Sequence, residues 1–438
     1  MTRTSTEASR GPGPRDCHEE RRTAVLGAGV AGLTAAHLLA RTRRVTLYEA
    51  DDRLGGHAHT HELTSPRDGR THRVDSGFIV HNRRTYPHLL RLFGELGVAT
   101  QESEMSMSVR CEGCGLEYAG ARGPAGLFAQ PRSLLRGRYL RMLSEVPAFH
   151  RAARRLLAAG ADDALTLGGF LEREGFSAYF RAHFTTPLVS AVWSCDAATA
   201  QRYPAAYLFR FLDHHGLLSV SGSPVWRTVG GGSGTYVDRI AERIPDVRTA
   251  TPVRAVRRHP DGADVTAEDG TTETYDSVVV AVHPDQALRL LADATPQEKE
   301  VLGAFRYSRN ATLLHTDTRL LPRARGARAS WNYLMPSCSA DAGRVRVSYD
   351  MNRLQRLDAA ETFVVTLGGE DRVRPDRVLA RTVYEHPGHT PESVAAQRRL
   401  PALNSPVCAF AGAYHGWGFH EDGCRSGAEA AAALGAPW

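Results

Sequence analysis

The sequence predicts an α/β fold of two domains, the first discontinuous and built around a parallel sheet, the second mixed α+β. Three observations support this prediction. A short apolar strand at residues 24–26 runs through a glycine turn into an alanine-rich helix and a second strand at residues 45–48. Further apolar strands follow at residues 277–282 and 407–412, and another alanine-rich helix ends the chain. The 438 residues suffice for two domains of ordinary size.

The turn between the first strand and the first helix reads GAGVAG at residues 27–32. This is the GxGxxG pattern of a Rossmann-type dinucleotide-binding domain. Gly27 permits the tight turn, Gly29 lets the backbone approach a pyrophosphate, and Gly32 lets the helix pack closely on the strand. Glu49, at the end of the second strand, is placed to accept hydrogen bonds from an adenosine ribose. The contacts predicted in this region are Gly27, Gly29, Val30, Ala31, Gly32, Glu49 and Ala50.

A second glycine pair follows the second strand, in RLGGH at residues 53–57. Binding of NAD does not need this pair, which resembles the Arg-x-Gly-Gly-Arg signature of the FAD-binding amine-oxidase-like superfamily. In that superfamily, backbone N–H groups and arginine bind the FAD diphosphate and ribose. The resemblance therefore implies FAD as the cofactor, contacted by Arg53, Gly55, Gly56 and His57. His57 stands where the second arginine is usual, which weakens one phosphate contact but leaves the backbone cradle intact.

Further segments resemble motifs of the same superfamily. VDSGF at residues 74–78 resembles the segment that passes the flavin ring, WRTVGGGS at 226–233 resembles a turn entering a helix, and Val253 falls where the backbone contacts adenine. FAG at 410–412 and GFHEDGCRSG at 418–427 resemble the closing FAD motif, with Ala413 where an acid is usual. The last helix would direct its N-terminus at the N1–C2=O edge of the flavin. The contacts implied here are Gly77, Phe78, Val253, Gly412, Asp422, Gly423, Cys424 and Ser426.

Five motifs narrow the resemblance to one group within the superfamily. They are GGHAHT (55–60), DSGFIV (75–80), RTYP (84–87), AVWS (191–194) and GFHEDG (418–423). Together they are similar to a bacterial group of predicted NAD/FAD-binding oxidoreductases that accompanies cyclopropane-fatty-acid-synthase-like methyltransferases. This resemblance implies an acyl-lipid substrate and a methyltransferase partner. It also implies an amine-oxidase-like domain organisation. Residues 22–85, 225–290 and 405–438 are expected to form the FAD-binding domain, and residues 86–224, mostly helical, and 291–404 the substrate domain.

Composition excludes several other classes. Residues 1–21 are polar and rich in Arg, Gly and Pro, without the apolar stretch of a secretory signal, and are expected to form a disordered tail. No apolar run is long enough to span a membrane. The net charge of +6 comes almost wholly from arginine, which suits anionic substrates or peripheral contact with a lipid surface. The basic residues form no concentrated helix and no stacking motif, so nucleic-acid binding is not expected.

The seven cysteines are scattered along the chain. Their odd number favours free thiols in a reducing cytoplasm. Cys111 and Cys114 form a CxxC whose Glu-Gly centre favours a hairpin turn over a metal or redox site, because no further zinc ligands are evident at suitable spacing. His57, His59 and His61 would face one side of a strand. We favour one histidine at the FAD phosphates and two at a polar surface over a metal site there.

Three residues are candidates for chemistry. His420 directly precedes the helix expected at the flavin and could carry a proton. His81 follows the flavin-contacting segment and could reach the substrate side of the ring as a general base, although a structural role is favoured. Tyr414 lies with Trp417 in a glycine-rich loop, and both could form an aromatic wall over the ring.

The superfamily often carries a lysine near flavin N5, which this chain cannot supply. Its one lysine, Lys299, lies in the charged stretch QEKE at 297–300, which is typical of an exposed helix face. This counts against ordinary amine oxidation. The leading hypothesis is an FAD-dependent oxidoreductase that takes a hydride from an apolar, acyl-type substrate onto flavin N5. The alternatives are a flavin-dependent amine oxidase, a double-bond isomerase, or a non-catalytic flavin partner of a methyltransferase.

Overall fold

A computed structural model describes residues 21–160, 164–219, 222–339 and 345–438. The tail expected at residues 1–21 lies outside the described residues, apart from Arg21. The strands are β1 (Arg22–Leu26), β2 (Arg44–Tyr48), β3 (Thr60–Thr64), β4 (Thr71–Asp75), β5 (His81–Asn82), β6 (Thr100–Glu102), β7 (Met107–Cys111), β8 (Glu117–Ala119), β9 (Trp226–Val229), β10 (Asp246–Arg248), β11 (Val253–His259), β12 (Gly262–Ala267), β13 (Thr272–Tyr275), β14 (Ser277–Val280), β15 (Arg306–His315), β16 (Trp331–Met335), β17 (Val347–Asp350), β18 (Val364–Leu367), β19 (Val378–Gly388) and β20 (Cys408–Phe410).

The helices alternate with these strands along the chain. They are α1 (Val30–Leu39), α2 (Pro87–Leu96), α3 (Gly123–Leu127), α4 (Gly137–Ala158), α5 (Leu167–Arg173), α6 (Ala178–Phe180), α7 (Thr186–Trp193), α8 (Ala197–Arg202), α9 (Ala205–His214), α10 (Gly234–Ala241), α11 (Pro284–Leu290), α12 (Pro296–Leu302), α13 (Met351–Leu354), α14 (Pro391–Gln397) and α15 (His420–Ala433). A π-helical turn, Arg181–Thr185, separates α6 from α7. Among the described residues, no helix combines the length and the apolar character needed to cross a membrane.

A five-stranded parallel sheet in the order β10-β2-β1-β14-β20 forms the first layer. Its central strands are apolar and fully buried, which is typical of a parallel sheet covered on both faces. Helix α1 is buried along its whole length and packs against α15, so the first and last helices of the chain meet on this sheet. Beside it, β11, β12 and β13 form an antiparallel sheet, in which a hairpin at Asp269-Gly270 joins β12 to β13.

A seven-stranded sheet in the order β19-β15-β18-β17-β16-β7-β8 forms the second layer. Residues 86–224 are mostly helical, as predicted, and they also contribute β7 and β8 to this sheet. Strand β7 pairs in parallel with β16. From residue 137 the segment is helical, and its helices enclose a cluster of phenylalanines.

The two layers together form the mixed α/β, two-domain fold predicted from the sequence. The parallel sheet lies on one side, and the seven-stranded sheet with its helical cover lies on the other. The strand ends of the parallel sheet face the second layer, which places the main cavity between them.

Candidate active site

A cavity of about 960 Å³ lies between the two layers. One end is formed where strands β1 and β2 end, at Leu26 and Tyr48, and by Ala281 and Gly412 just beyond β14 and β20. Ligands in open α/β sheets bind at this carboxyl edge of the strands. The other end is formed by the second layer, and the volume suits an extended ligand together with a substrate.

The three glycines of the first turn have the geometry that their predicted roles require. Gly27 has φ +96°, and a Cβ there would lie 2.7 Å from the Ala281 carbonyl oxygen. A Cβ on Gly32 would collide with the Gly27 carbonyl, so the helix packs closely on the turn. A Cβ on Gly29, by contrast, meets nothing within 4 Å. Gly29 therefore faces open space at the N-terminus of α1, where backbone N–H groups favour an anion.

The second glycine pair completes the same cradle. The Gly55 N–H donates to the Ala28 carbonyl at 2.8 Å, and a Cβ on Gly56 would lie 3.2 Å from the Gly29 Cα. The two glycine loops are separated in the sequence, but they contact each other and form one continuous backbone surface. Gly56 and His57 line the cavity, whereas Gly55 and Arg53 do not.

Glu49 stands at the cavity just beyond β2. One carboxylate oxygen accepts the Ala28 N–H at 2.7 Å, and the other accepts the Asp51 N–H at 3.0 Å. These bonds hold the carboxylate beside the glycine turn, in the position expected for a ribose contact. Four other predicted contacts line the cavity as well: Val30, Ala31, Ala50 and Val253.

His57 faces the cavity between Tyr384 and His386, with ring centroids 4.9 Å and 5.4 Å away. Burial, reinforced by the neighbouring His386, holds the pKa of His57 well below its usual value. A neutral imidazole therefore stands where the superfamily usually has a cationic arginine. The His57 carbonyl accepts the Phe78 N–H at 2.6 Å, and Gly77 is packed so closely on the same carbonyl that no Cβ would fit.

His420 begins helix α15 and lines the cavity beside Phe78, and the two rings are stacked with centroids 3.6 Å apart. Its Nε2 lies 3.1 Å from the Tyr236 hydroxyl. Burial, together with the nearby His81, lowers the pKa of His420 to about 3. The free N–H groups of this helix terminus would stabilise negative charge at the cavity.

His81 does not line the cavity, which agrees with the favoured structural role and not with a general base on the substrate side of the ring. It lies on β5, fully buried behind Phe78, and its ring packs against Phe93 at 5.4 Å. Neither ring nitrogen has a hydrogen-bond partner among the described residues. Burial lowers the pKa of His81 to about 4, so a neutral imidazole serves as core packing.

Further along the last helix, the predicted contacts are used to hold the helix in place, and none of them lines the cavity. Asp422 accepts the Phe419 N–H at 3.1 Å and so caps α15. Gly423 packs on Val30, and the Cys424 sulfur lies 3.6 Å from the Thr34 hydroxyl on α1. Ser426 is hydrogen-bonded to both backbone groups of Gly412, which itself does line the cavity.

Tyr414 and Trp417 were expected to form one aromatic wall, but the structure separates them. Tyr414 lines the cavity, and its buried hydroxyl has no hydrogen-bond partner among the described residues. Trp417 is turned away into the helical layer, where its ring packs against Phe211 at 5.7 Å. The Trp417 carbonyl accepts the Trp193 indole N–H at 3.0 Å, which fixes the loop in this orientation.

Sequence reasoning missed the β19 residues that line the cavity. Tyr384 is at the centre of a hydrogen-bonded chain: its hydroxyl lies 2.7 Å from the Ser76 hydroxyl and 3.1 Å from His59 Nδ1. Ser76 in turn lies 2.8 Å from His61 Nε2. His59 and His61 do face one side, as predicted, but no metal-binding group of three side chains includes them among the described residues. No motif marks Tyr384, since pairing of β15 with β19 brings it here.

The cavity fits an FAD on three observations. Gly29 leaves open space at a helix N-terminus, Glu49 is fixed beside the glycine turn where a ribose contact is predicted, and the Tyr414 hydroxyl has no hydrogen-bond partner among the described residues. Lys299 is exposed on α12, as predicted. The aromatic rings of His57 and Phe78 line the cavity next to the glycine loops.

Comparison with known proteins agrees with this fit. The family model described as flavin containing amine oxidoreductase matches residues 30–435. Carotenoid phi-ring synthase of Streptomyces griseus is 34% identical over 294 residues, which are 63% of this chain and 54% of that protein. The chain therefore spans about half the length of this relative.

Two solved structures share the fold over nearly the whole chain. Putrescine oxidase bound to putrescine has a TM-score of 0.66 at 17% identity, covering 94% of this chain and 98% of its own. The fatty acid isomerase of P. acnes that produces CLA has a TM-score of 0.66 at 16% identity, with the same coverage of both chains. The family match over residues 30–435, together with the glycine cradle, shows that this chain belongs to the flavin-containing amine oxidoreductase family and that its cofactor is FAD.

Proposed function

We propose that this chain is an FAD-dependent oxidoreductase that takes a hydride from an apolar, acyl-type substrate onto flavin N5. The observation that carries the proposal is the chemistry of the substrate half of the cavity, lined by residues 103–225 and 331–387. Among the described residues that line this half, no arginine or lysine is present and Glu385 is the only carboxylate.

Glu385 is already engaged by neighbouring side chains. Its carboxylate lies 3.1 Å from His283 Nδ1 and 3.5 Å from Arg309 Nε. An ammonium or amino-acid substrate needs an opposite charge when it leaves water, because burial of an unpaired ion is costly. The substrate half of the cavity offers no free charge to pair with such a substrate. Its walls are large apolar side chains, including Leu188, Val192, Trp193, Trp331 and Tyr349.

The relatives support an apolar substrate in one respect. The Streptomyces griseus relative is named for a carotenoid, and carotenoids are long apolar polyenes. The putrescine oxidase shares the fold alone at 17% identity. Since no free charge faces the substrate half, we rank a hydrocarbon chain above an amine.

When bound, FAD accepts a hydride at N5 and passes the two electrons to O₂ or another acceptor. The glycine cradle and Glu49 would hold the diphosphate and ribose end, and the N-terminus of α15 would stabilise negative charge at the ring end. Oxidation of a saturated carbon pair also releases one proton for each hydride. Tyr384 is placed to pass that proton through Ser76 to His61, which is half-buried and nearer the surface.

His386 presents a fixed donor to the cavity. The Asn310 amide lies 2.9 Å from His386 Nδ1 and donates to it, which leaves the proton on Nε2. Burial lowers the pKa of His386 to about 4, so the ring stays neutral at physiological pH. A neutral N–H donor orients a carbonyl oxygen, such as that of an acyl ester, without the cost of burying a charge.

An acyl-lipid substrate also requires access to a lipid surface, and we propose that helix α4 and the turn before it provide it. Leu134, Leu135 and Leu140 are exposed by 54%, 90% and 40%. Exposed arginines flank them at positions 132, 138 and 141. Apolar side chains between arginines are typical of a surface that lies on an anionic membrane.

The test is to incubate the yellow holoenzyme with lipid classes separated from a bacterial extract and to analyse the products by mass spectrometry. Oxidation removes one pair of hydrogens from an acyl substrate and requires an electron acceptor. An unchanged mass with a moved double bond indicates isomerisation, whereas turnover of amines alone overturns the proposal. If no class reduces the flavin, a non-catalytic flavin partner of a methyltransferase is favoured instead.

The Leu188→Glu variant sharpens this test, because it adds a charge to the cavity wall. We expect it to retain FAD and to lose at least about tenfold in acyl-lipid turnover, since burial of an unpaired charge is unfavourable. The matched control is Leu379→Glu on the exposed face of β19, where the side chain is 45% exposed. An equal loss of acyl-lipid turnover in both variants would contradict the proposal that the substrate lies against Leu188.

A further inference from the structure

Three cysteines and one histidine that do not line the cavity converge at one place in the second layer. Cys111 ends β7 and Cys114 lies in the hairpin that follows, Cys338 comes shortly after β16, and His183 lies in the π-helical turn. The three sulfurs and one imidazole nitrogen all lie within 4.8 Å of one another. No companions for the CxxC are evident in the sequence, because His183 and Cys338 are separated from it by long stretches of chain and meet it only in the folded structure.

The spacings match those of a tetrahedral metal site. The sulfurs of Cys111 and Cys338 are 3.6 Å apart, and the Cys114 sulfur is 3.7 Å from His183 Nε2. Zinc with Zn–S bonds of about 2.3 Å and a Zn–N bond of about 2.0 Å gives S···S edges of about 3.8 Å and S···N edges of about 3.5 Å. A disulfide needs sulfurs about 2.05 Å apart, so the observed pairs are free thiols.

His183 is oriented in the way that metal-ligating histidines are. Its Nδ1 lies 3.1 Å from the Tyr179 carbonyl one helical turn earlier, and a proton donated there leaves Nε2 free to act as a ligand. The ring also stacks on Tyr179 with centroids 3.9 Å apart. The π-helical turn provides this orientation, and such turns are frequent at functional sites.

The hairpin holds its two sulfurs in a backbone turn suited to thiolates. The predicted turn is confirmed: β7 and β8 pair antiparallel across it, and Gly115 adopts φ +68°. The Cys114 N–H donates to the Cys111 sulfur, and the Leu116 N–H donates to the Cys114 sulfur. The Tyr179 hydroxyl is 3.7 Å from the Cys114 sulfur as well. Donors of this kind stabilise sulfurs that carry negative charge.

We propose that Cys111, Cys114, His183 and Cys338 bind one Zn²⁺ in a closed, structural site. Three thiolates and one imidazole are the Cys₃His set of structural zinc, and four protein ligands leave no open position for a substrate. Binding converts thiols to thiolates and releases their protons, with no oxidation or reduction. Cys338 is exposed, which gives the ion an entry path.

The site would add a link between parts of the chain that are already joined by strand pairing and by the Tyr118 hydroxyl, which donates to the His183 carbonyl at 2.7 Å. It links the β7–β8 hairpin and the end of β16 in the seven-stranded sheet to the turn that leads into α7. Helix α7 carries Leu188, Ala191 and Val192 on the cavity wall. Zinc at this position would therefore hold this part of the cavity wall in place without taking part in the reaction.

The test is the zinc content of the holoenzyme, purified under reducing conditions and washed with a weak chelator. We expect about one zinc per chain in the wild type and in the control Cys408→Ala, a buried cysteine outside the cluster. Cys114→Ser and His183→Ala should each lose most of it. Cys338→Ser, at an exposed position that leaves folding intact, should bind zinc at least about tenfold more weakly.

Cobalt gives a second readout that does not depend on activity. Cobalt(II) added to the metal-free protein should produce the intense visible absorption bands of a tetrahedral thiolate complex, at wavelengths longer than the flavin absorption. Cys338→Ser should weaken these bands. A wild-type protein that contains no zinc and takes up neither metal while its thiols are reduced overturns the proposal. So does a Cys338→Ser variant with unchanged affinity. Either result leaves the FAD-dependent function untouched.

Discussion

The rings of Phe78 and His420 stack nearly parallel, with their centroids 3.6 Å apart and an interplanar angle of 11°. This pair joins the segment after β4 to the start of the last helix at the edge of the cavity. The His81 ring is also near Phe78, with ring centroids 6.5 Å apart. Of the two histidines proposed for chemistry, only His420 lines the cavity.

This arrangement predicts different effects for the two histidines. His420→Ala should retain FAD but slow anaerobic flavin reduction by about 10² to 10⁴-fold if the imidazole moves a proton. His81→Leu should leave the reduction rate unchanged, because the ring lies in the core. Stopped-flow absorbance of the bound flavin measures both rates. A rate in His420→Ala equal to that of the wild type removes its catalytic role, and a slow His81→Leu restores His81 as a candidate.

The glycine cradle predicts that Gly29→Val abolishes FAD retention while the chain still folds. The new side chain meets no protein atom within 4 Å of its Cβ, so it occupies only the space where the pyrophosphate would lie. The ratio of flavin to protein absorbance after gel filtration measures retention. The control is Gly94→Val on α2, which also has open space around its Cβ and lies away from the cavity. A yellow Gly29→Val protein contradicts the phosphate assignment.

The exposed leucines before and within α4 predict binding to an anionic membrane. Leu135→Glu should lower co-sedimentation with vesicles that contain phosphatidylglycerol, because it replaces inserted apolar surface with a charge that the lipid repels. Leu379→Glu, exposed on β19, is the matched control. Vesicles of neutral lipid should bind the wild type more weakly, and added salt should weaken binding to the anionic ones. Equal sedimentation of all three proteins contradicts a membrane role for this surface.

Buried histidines predict a loss of stability towards acid pH. Burial lowers the pKa of His81, His215, His315, His386 and His389 to about 4 and that of His420 to about 3. In the unfolded chain these rings bind protons near pH 6.5, whereas the folded chain does not, so stability falls as the pH drops from about 6.5 to about 4. Burial raises the pKa of Asp75 and Asp422 to about 6, which opposes this trend with fewer groups.

For each such histidine, the free energy of unfolding falls by about 1.4 kcal/mol for every pH unit by which the pH drops in that range. Urea unfolding of the wild type at neutral and mildly acid pH measures the total slope, and His81→Leu should reduce it by one histidine's share. A free energy of unfolding that is independent of pH between about 6.5 and 4 would contradict the burial of these rings.

The sequence predicted the dinucleotide edge of the site well, because local motifs encode it. Strand, turn and helix are contiguous from β1 to β2, and the steric demands of Gly27 and Gly32 are local. The side chains of Asp422 and Cys424 cap α15 and contact α1, and their orientation depends on packing that the motif does not encode. The contacts predicted at 422–424 through backbone N–H groups stay a prediction. Trp417 was misplaced for a similar reason: a hydrogen bond from distant Trp193 orients its loop.

Tyr384 and the Cys₃His cluster could not be predicted from motifs at all. Tyr384 reaches Ser76 only because β19 pairs with β15 at the far end of the second sheet. His183 and Cys338 meet the CxxC through one parallel strand pair and one π-helical turn. Contacts of this kind depend on tertiary structure, and a single sequence carries no local signal for them.

The anaerobic visible spectrum of the purified protein tests the central claim most directly, recorded before and after addition of an acyl lipid and of an alkylamine of the same chain length. We expect a bound-flavin spectrum that is bleached by the acyl lipid and unchanged by the amine. Bleaching by the amine alone, or a colourless protein that takes up no added FAD, would contradict it.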